Sequence, residues 1–119
     1  MNSLPDIPPI SLNQHDWSEV CRILKQHVPD HTVLAFGSRV TGKAKPYSDL
    51  DLVILTEQPF SLEFMAIIKD AFDEADLPIR VDVVDWAATS AVFRGIIQQD
   101  YKVIQQGKSL QHEIFHVHY

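Results

Sequence analysis

The sequence is poor in several features that mark whole classes of protein. It has one cysteine, Cys21, among 119 residues, so no disulfide can form within the chain and a reducing compartment such as the cytoplasm is expected. No apolar run approaches the roughly 20 residues that cross a bilayer. No basic segment followed by an apolar one resembles a signal peptide. The sequence therefore predicts a soluble, cytoplasmic protein without a membrane span.

Positive charge is also scarce. The chain has 10 Lys and Arg residues against 16 Asp and Glu residues, a formal net charge of -6. Proteins that hold long nucleic acids by phosphate neutralisation need clustered basic residues in excess, so this function class is excluded. The few basic residues are unevenly spread, because Arg39, Lys43 and Lys45 lie in one short stretch. Phosphate groups are expected at that stretch.

What is present suits one small globular unit. With 119 residues, of which 45% are hydrophobic, the chain can build one core but hardly a second. We therefore expect a single domain over residues 1–119. Its proline-rich start predicts an extended arm over residues 1–10, and residues 109–119 form a tail without a clear helix or strand pattern.

Helical and strand patterns alternate along the chain, which predicts an α/β or α+β sheet with helices packed over it. Ser11 and Gln14 resemble a capping box, and apolar residues at helical spacing follow as far as Val28. Further helices are predicted over residues 64–75 and 90–99. Strands are predicted over residues 32–36, 50–56, 79–85 and 101–104.

The segment between the first two predicted strands carries the main motif. Gly37 and Ser38 end one apolar run, ten residues follow, and Asp49 and Asp51 then begin a second apolar run. Because side chains alternate along a strand, both carboxylates are predicted on one face of the sheet. Two acids held side by side require a cation.

Transfer of a nucleotidyl or phosphoryl group would use such acids. Two Mg²⁺ ions roughly 3.5–4 Å apart can hold the attacking and leaving oxygens, and such a pair needs about three carboxylates. Asp82, in the middle of the third predicted strand, is the candidate for the third acid, ahead of Asp85, which would face the other way and end the strand. The alternative explanation for Asp82 is a structural ion pair with Arg80.

Phosphate groups are expected beside these acids. Gly37 lets the backbone approach phosphate oxygens, and Ser38 adds a hydroxyl and an N–H group at a possible helix start. Arg39, Lys43 and Lys45 are candidates to screen the outer phosphates. Arg39 is favoured because it is nearest in sequence and has a fork of donors.

The DNA polymerase β nucleotidyltransferase superfamily has a signature that this sequence resembles: Gly37–Ser38, ten residues, Asp49–Leu50–Asp51, and Asp82 on a following strand. In so short a chain the motif most resembles the minimal nucleotidyltransferases, the MNT antitoxins encoded beside HEPN toxins. The resemblance covers residues 32–85 by motif and nearly the whole chain by order of elements. It implies a polymerase β-like fold, with a small mixed β-sheet covered by helices.

The resemblance also implies a function. A bacterial or archaeal enzyme of this kind takes ATP with two Mg²⁺ ions, transfers AMP to a hydroxyl group and releases pyrophosphate. In MNT antitoxins the acceptor is understood to be a tyrosine of the partner HEPN ribonuclease, which is silenced. Residue by residue, it implies that Gly37 and Ser38 hold the triphosphate and that Asp49 and Asp51 bind both metals. Asp82 would bind the catalytic metal and would act as the general base or lie near it.

Two alternatives stay open. The chain could bind nucleotide without catalysis and neutralise its toxin by occlusion, or it could modify a small aminoglycoside-like molecule. The second is less favoured because no further domain is present to bind such a substrate, whereas a partner protein in a hetero-oligomer could present its own hydroxyl.

A second motif, His112–Glu113–Ile114–Phe115–His116, matches the pattern of zinc metalloproteases. We discount it because that pattern needs a helix, a third ligand and a cleft, whereas three residues follow His116.

Overall fold

The computed structural model describes residue 7 and residues 9–108, so most of the predicted arm and the whole tail, with its histidine motif, lie outside the described residues. The elements in the described part are α1 Gln14–His27, β1 Val33–Phe36, α2 Ser38–Thr41, β2 Leu50–Ile54, α3 Leu62–Asp73, β3 Val81–Asp85, a 3₁₀ turn Trp86–Ala88, α4 Ala91–Gln99 and β4 Tyr101–Gln105. No described helix has both the length and the apolar character that crossing a membrane requires.

The start of α1 differs from the sequence prediction. Its N-cap is Asn13, whose side-chain oxygen accepts a 2.8 Å hydrogen bond from the Asp16 N–H. Ser11 lies two residues before this cap, and its backbone is bonded to Arg39 instead, at 2.9 Å from its N–H and 2.6 Å to its carbonyl. The predicted capping box is therefore wrong, although the helix itself is confirmed.

The four strands form one mixed sheet in the order β3-β2-β1-β4. β1 is antiparallel to both of its neighbours, whereas β2 and β3 run parallel. A parallel pair needs a crossover connection, and α3 provides it. The mixed sheet covered by helices that the resemblance implied is confirmed.

The two faces of the sheet are covered differently. One face packs against α1 and α3, and its buried residues include Trp17, Leu24, Ala35, Leu52 and Ile68. The other face has a smaller apolar cluster, made of Leu34, Phe36, Val53, Leu55, Trp86 and Ile97. Because side chains alternate along strands, Asp51 and Asp82 share this second face with Val53 and Val84.

Asp85 lies on the opposite face and ends β3, as predicted. Its side chain is 5% exposed. Its carboxylate accepts hydrogen bonds from the Thr56 hydroxyl, from the Phe60 N–H at 2.6 Å and from the Ala87 N–H at 3.2 Å. Asp85 is therefore a structural acid that joins the ends of β2 and β3 to the segments that follow them.

Replacing Asp85 with Asn should destabilise the fold, because the amide nitrogen donates and cannot accept, so the Phe60 or the Ala87 N–H would lose its acceptor. We expect a loss of about 2 kcal/mol in the free energy of unfolding, or roughly 10 °C in Tm, measured by thermal denaturation. Asp73→Asn, at the exposed end of α3, is the matched control and should change stability by less than about 0.5 kcal/mol. Equal shifts for the two variants would contradict the structural role.

Candidate active site

The turn after β1 holds the first part of the site. Gly37 has φ 82°, a conformation that favours glycine, and is the N-cap of the short helix α2. Its carbonyl accepts hydrogen bonds from the Val40 N–H at 3.0 Å and the Thr41 N–H at 3.1 Å. Ser38, the first residue of α2, is half-buried. The chain therefore turns sharply at the position where the sequence predicted a phosphate-binding turn.

The strand register brings two predicted acids together. Asp51 on β2 is paired with Asp82 on β3, and on its other side with Phe36 on β1. Phe36 is in turn paired with Tyr101 on β4. One row across the sheet is thus apolar or aromatic at one end and acidic at the other.

Gly37 lies directly against Asp51. A Cβ atom added at Gly37 would collide with the Asp51 carboxylate oxygen. The turn and the acid are therefore in close contact, and any side chain at position 37 would displace the carboxylate.

Burial and charge repulsion raise the pKa of Asp51. The pKa increases from an ordinary 3.8 to about 6, first because the carboxylate is removed from water and then because Asp82 and Asp49 are nearby negative charges. Asp49 itself is exposed and lies one residue before β2. The three predicted acids are thus close enough to influence one another.

The donor set suits a hard divalent cation, because all three acids offer oxygen ligands. Within the described residues, however, no three carboxylate, imidazole or thiol groups are already arranged to hold an ion. In the same part of the chain no ion pair joins Arg80 to Asp82, which leaves the structural alternative for Asp82 unsupported.

Arg39 does not have the partners expected for a phosphate-binding residue. Its side chain is 7% exposed, and each of its three guanidinium nitrogens donates to backbone carbonyls. The acceptors are Ser48 at 3.0 Å, Ser11 at 2.6 Å and Pro46 at 3.1 Å, with Lys45 at 3.5 Å. The guanidinium thus contacts the loop before Asp49 and Ser11, and the direct phosphate contact expected from the sequence stays a prediction.

The other residues considered from the sequence differ in their exposure. Lys43 and Lys45 are exposed in the loop between α2 and β2, and Tyr47 there is 89% exposed. Trp86 is buried, with the Arg94 guanidinium 4.8 Å from its ring centre. A cavity of about 460 Å³ is lined by residues of α3, the end of β3 and the start of α4 and includes none of the three predicted acids.

Gly37→Ala and Gly42→Ala form a matched pair, because both glycines have positive φ but only Gly37 faces Asp51. Each change should cost about 1 kcal/mol from backbone strain, measured by denaturation. Only Gly37→Ala should also change the titration of the Asp51 carboxyl carbon in NMR, because its methyl group displaces that carboxylate. An unchanged Asp51 titration in Gly37→Ala would contradict the close contact.

Asp51→Asn should stabilise the metal-free protein at neutral pH. The raised pKa means that the unfolded chain ionises first, so stability falls as pH rises from 3.8 to about 6, and the full penalty is present above that range. After allowance for solvent screening, removing the charge should add about 1 kcal/mol, a few degrees in Tm.

The control is Asp49→Asn, since Asp49 is exposed and should barely change Tm. The gain for Asp51→Asn should shrink between about pH 7.5 and about pH 4.5. A gain that is the same at both pH values would show that Asp51 carries no raised pKa.

The chain was compared with known proteins at the level of families, sequences and solved structures. Residues 18–111 match the family described as Nucleotidyltransferase domain. A relative from Haemophilus influenzae, named "Probable protein adenylyltransferase MntA", is 54% identical over 99 residues, which are 82% of this chain and 85% of the relative.

Solved structures share the fold at lower identity. A MntA–toxin complex carrying acid-to-acid substitutions has a TM-score of 0.70 and 21% identity, covering 90% of this chain and 83% of the other. A complex described as tri-AMPylated Shewanella oneidensis HEPN toxin with MNT antitoxin has a TM-score of 0.59 and 21% identity, covering 90% and 82%. A toxin–antitoxin structure with AMP-PNP has a TM-score of 0.64 and 22% identity, covering 87% and 82%. Given the family match and the identity to the Haemophilus protein, this chain belongs to the nucleotidyltransferase domain family, as a homologue of the MntA adenylyltransferase.

Proposed function

We propose that this protein is an MNT-type antitoxin that transfers AMP from ATP to a hydroxyl group, by our expectation a tyrosine, of a cognate HEPN ribonuclease toxin. The observation that carries the proposal is its 54% identity to a probable protein adenylyltransferase. The AMPylated HEPN toxin seen with an antitoxin of the same fold supports the choice of acceptor. The two proteins would form a hetero-oligomer in the cytoplasm.

The reaction balances as a nucleotidyl transfer. The acceptor oxygen attacks the α-phosphorus of ATP and forms a new P–O bond. The bond from that phosphorus to the oxygen bridging the β-phosphate breaks, and pyrophosphate leaves with the electron pair. The proton of the acceptor hydroxyl passes to a carboxylate, for which Asp82 is our candidate.

Each predicted residue has a role in this proposal. Gly37 and Ser38 bind the triphosphate at the turn after β1, through the Ser38 hydroxyl and the backbone N–H groups of that turn. Asp49, Asp51 and Asp82 would hold two Mg²⁺ ions, which when bound neutralise the charge of the phosphates and of the leaving pyrophosphate. Asp51 must be ionised to do so, and with its pKa at about 6 it is ionised at neutral pH.

The exposed lysines take over the role first assigned to Arg39. Lys43 and Lys45 lie in the loop that connects the phosphate-binding turn to Asp49, and their side chains are free to reach outer phosphates. Arg39 would act on the triphosphate only indirectly, because it holds the backbone of Ser48 and Pro46 in the same loop.

Label transfer tests the proposal. Purified protein with Mg²⁺ and α-labelled ATP should label the HEPN protein encoded beside it. Asp49→Asn and Asp51→Asn should each lower the rate by on the order of a hundredfold or more, because an amide is a poor ligand for Mg²⁺. Asp73→Asn, on the exposed end of α3, should leave the rate unchanged.

The same variants separate the alternatives. If the protein acted by occlusion, both Asn variants would still protect cells from the toxin as well as the original does. If it modified a small molecule, label would appear on an aminoglycoside and not on the HEPN protein. Transfer that survives both substitutions would overturn the assignment of the acids.

A further inference from the structure

The buried guanidinium of Arg39 joins the two sides of the proposed nucleotide site. Arg39 is the second residue of α2, so it directly follows the Gly37–Ser38 turn. Its Nε donates to the carbonyl of Ser48, which directly precedes Asp49. One side chain thus connects the phosphate-binding turn to the first metal-binding acid.

The loop that Arg39 holds has its own internal bonds. The Lys45 N–H donates to the Ser48 hydroxyl at 2.8 Å, and the Ser48 N–H donates back to the Lys45 carbonyl at 3.0 Å. The Nη2 of Arg39 donates to the carbonyls of Lys45 and Pro46 in the same turn. Arg39 and Ser48 therefore stabilise one conformation of residues 45–48 together.

The segment that precedes α1 is also bonded to Arg39, through Ser11. The carbonyl of Ser11 accepts from Nη1 of Arg39, and the Ser11 N–H donates to the Arg39 carbonyl. Among the described residues no carboxylate forms an ion pair with Arg39, so carbonyl oxygens are what solvate its buried charge. A planar fork with donors in several directions suits this arrangement, whereas the single nitrogen of lysine does not.

We infer that Arg39 is a positioning residue for nucleotidyl transfer, which fixes the 45–48 loop so that Asp49 and the Gly37–Ser38 turn keep one separation. The expected effect on AMP transfer rests on the proposed function. The expected effect on the conformation of the 45–48 loop does not. Arg39 acts through Ser48 and its neighbours and does not bind the nucleotide itself.

Arg39→Lys tests the inference because it keeps the positive charge and removes the fork. We expect faster tryptic cleavage after Lys43, in the loosened loop, and slower AMP transfer, on the order of tenfold to a hundredfold, mainly in kcat. Cleavage after Lys45 is blocked by Pro46. Arg22→Lys is the matched control, since Arg22 is exposed on α1 and pairs with Glu19, and it should change neither value.

Ser48→Ala is a second, milder variant that keeps the inference testable if Arg39→Lys folds poorly. It removes only the hydroxyl that accepts from the Lys45 N–H, and it should loosen the same loop and slow transfer to a lesser degree. In a double-mutant cycle the two changes should be non-additive, because both release the same loop. Direct binding of phosphate by Arg39 would instead give additive effects and a loss concentrated in KM for ATP.

The outcomes remain separable from those of the proposed function. If the original protein does not label the HEPN protein but Arg39→Lys still exposes Lys43 to trypsin, the positioning role stands and the acceptor is wrong. If the original protein labels its partner and both Arg39→Lys and Ser48→Ala leave cleavage and kcat unchanged, the positioning role is overturned.

Discussion

The Asp51 carboxylate, held in the middle of a sheet against the backbone of Gly37 and beside Asp82, is the constraint on which the rest of the site depends. Burial and neighbouring negative charges disfavour its ionised form, which is why its pKa rises to about 6. The turn after β1 must then have glycine, for its positive φ and for the space that Asp51 occupies. A single acid thus restricts which residue can stand in the turn after the adjacent strand.

The topology of the sheet supplies this arrangement. The parallel pairing of β2 with β3 sets Asp51 opposite Asp82, although 30 intervening residues separate them in sequence. α1 and α3 cover one face of the sheet. The acids lie on the other face, which α4 covers only in part. Phe93 of α4 packs edge-on against Phe36, with ring centres 5.6 Å apart, at the aromatic end of the row. The acidic end remains partly exposed, where substrate and partner can reach it.

The sequence predicted those features whose cause is local. Strand alternation identified the strand that carries Asp82, and the spacing from Gly37 to Asp51 identified the family, because both patterns reflect side-chain chemistry. The sequence did not predict the partners of Arg39, because these are backbone carbonyls, which any residue type offers and no sequence pattern records. The α1 cap was expected at Ser11, but Asn13, two residues later, supplies it by accepting from the Asp16 N–H.

Asp85, Arg39 and Asp51 are three of the buried or half-buried charges among the described residues, and the differences between their surroundings point to the function. Asp85 accepts hydrogen bonds from neighbouring donors, and Arg39 gives its own to backbone carbonyls, so both charges are compensated within the fold. Asp51 is surrounded by further negative charge, and within the described residues no hydrogen bond or ion pair reaches its carboxylate. A fold selected only for stability would not keep such a charge, because removing it costs no hydrogen bond or ion pair among the described residues. The uncompensated charge persists where a cation from outside the chain can neutralise it, beside the turn at Gly37.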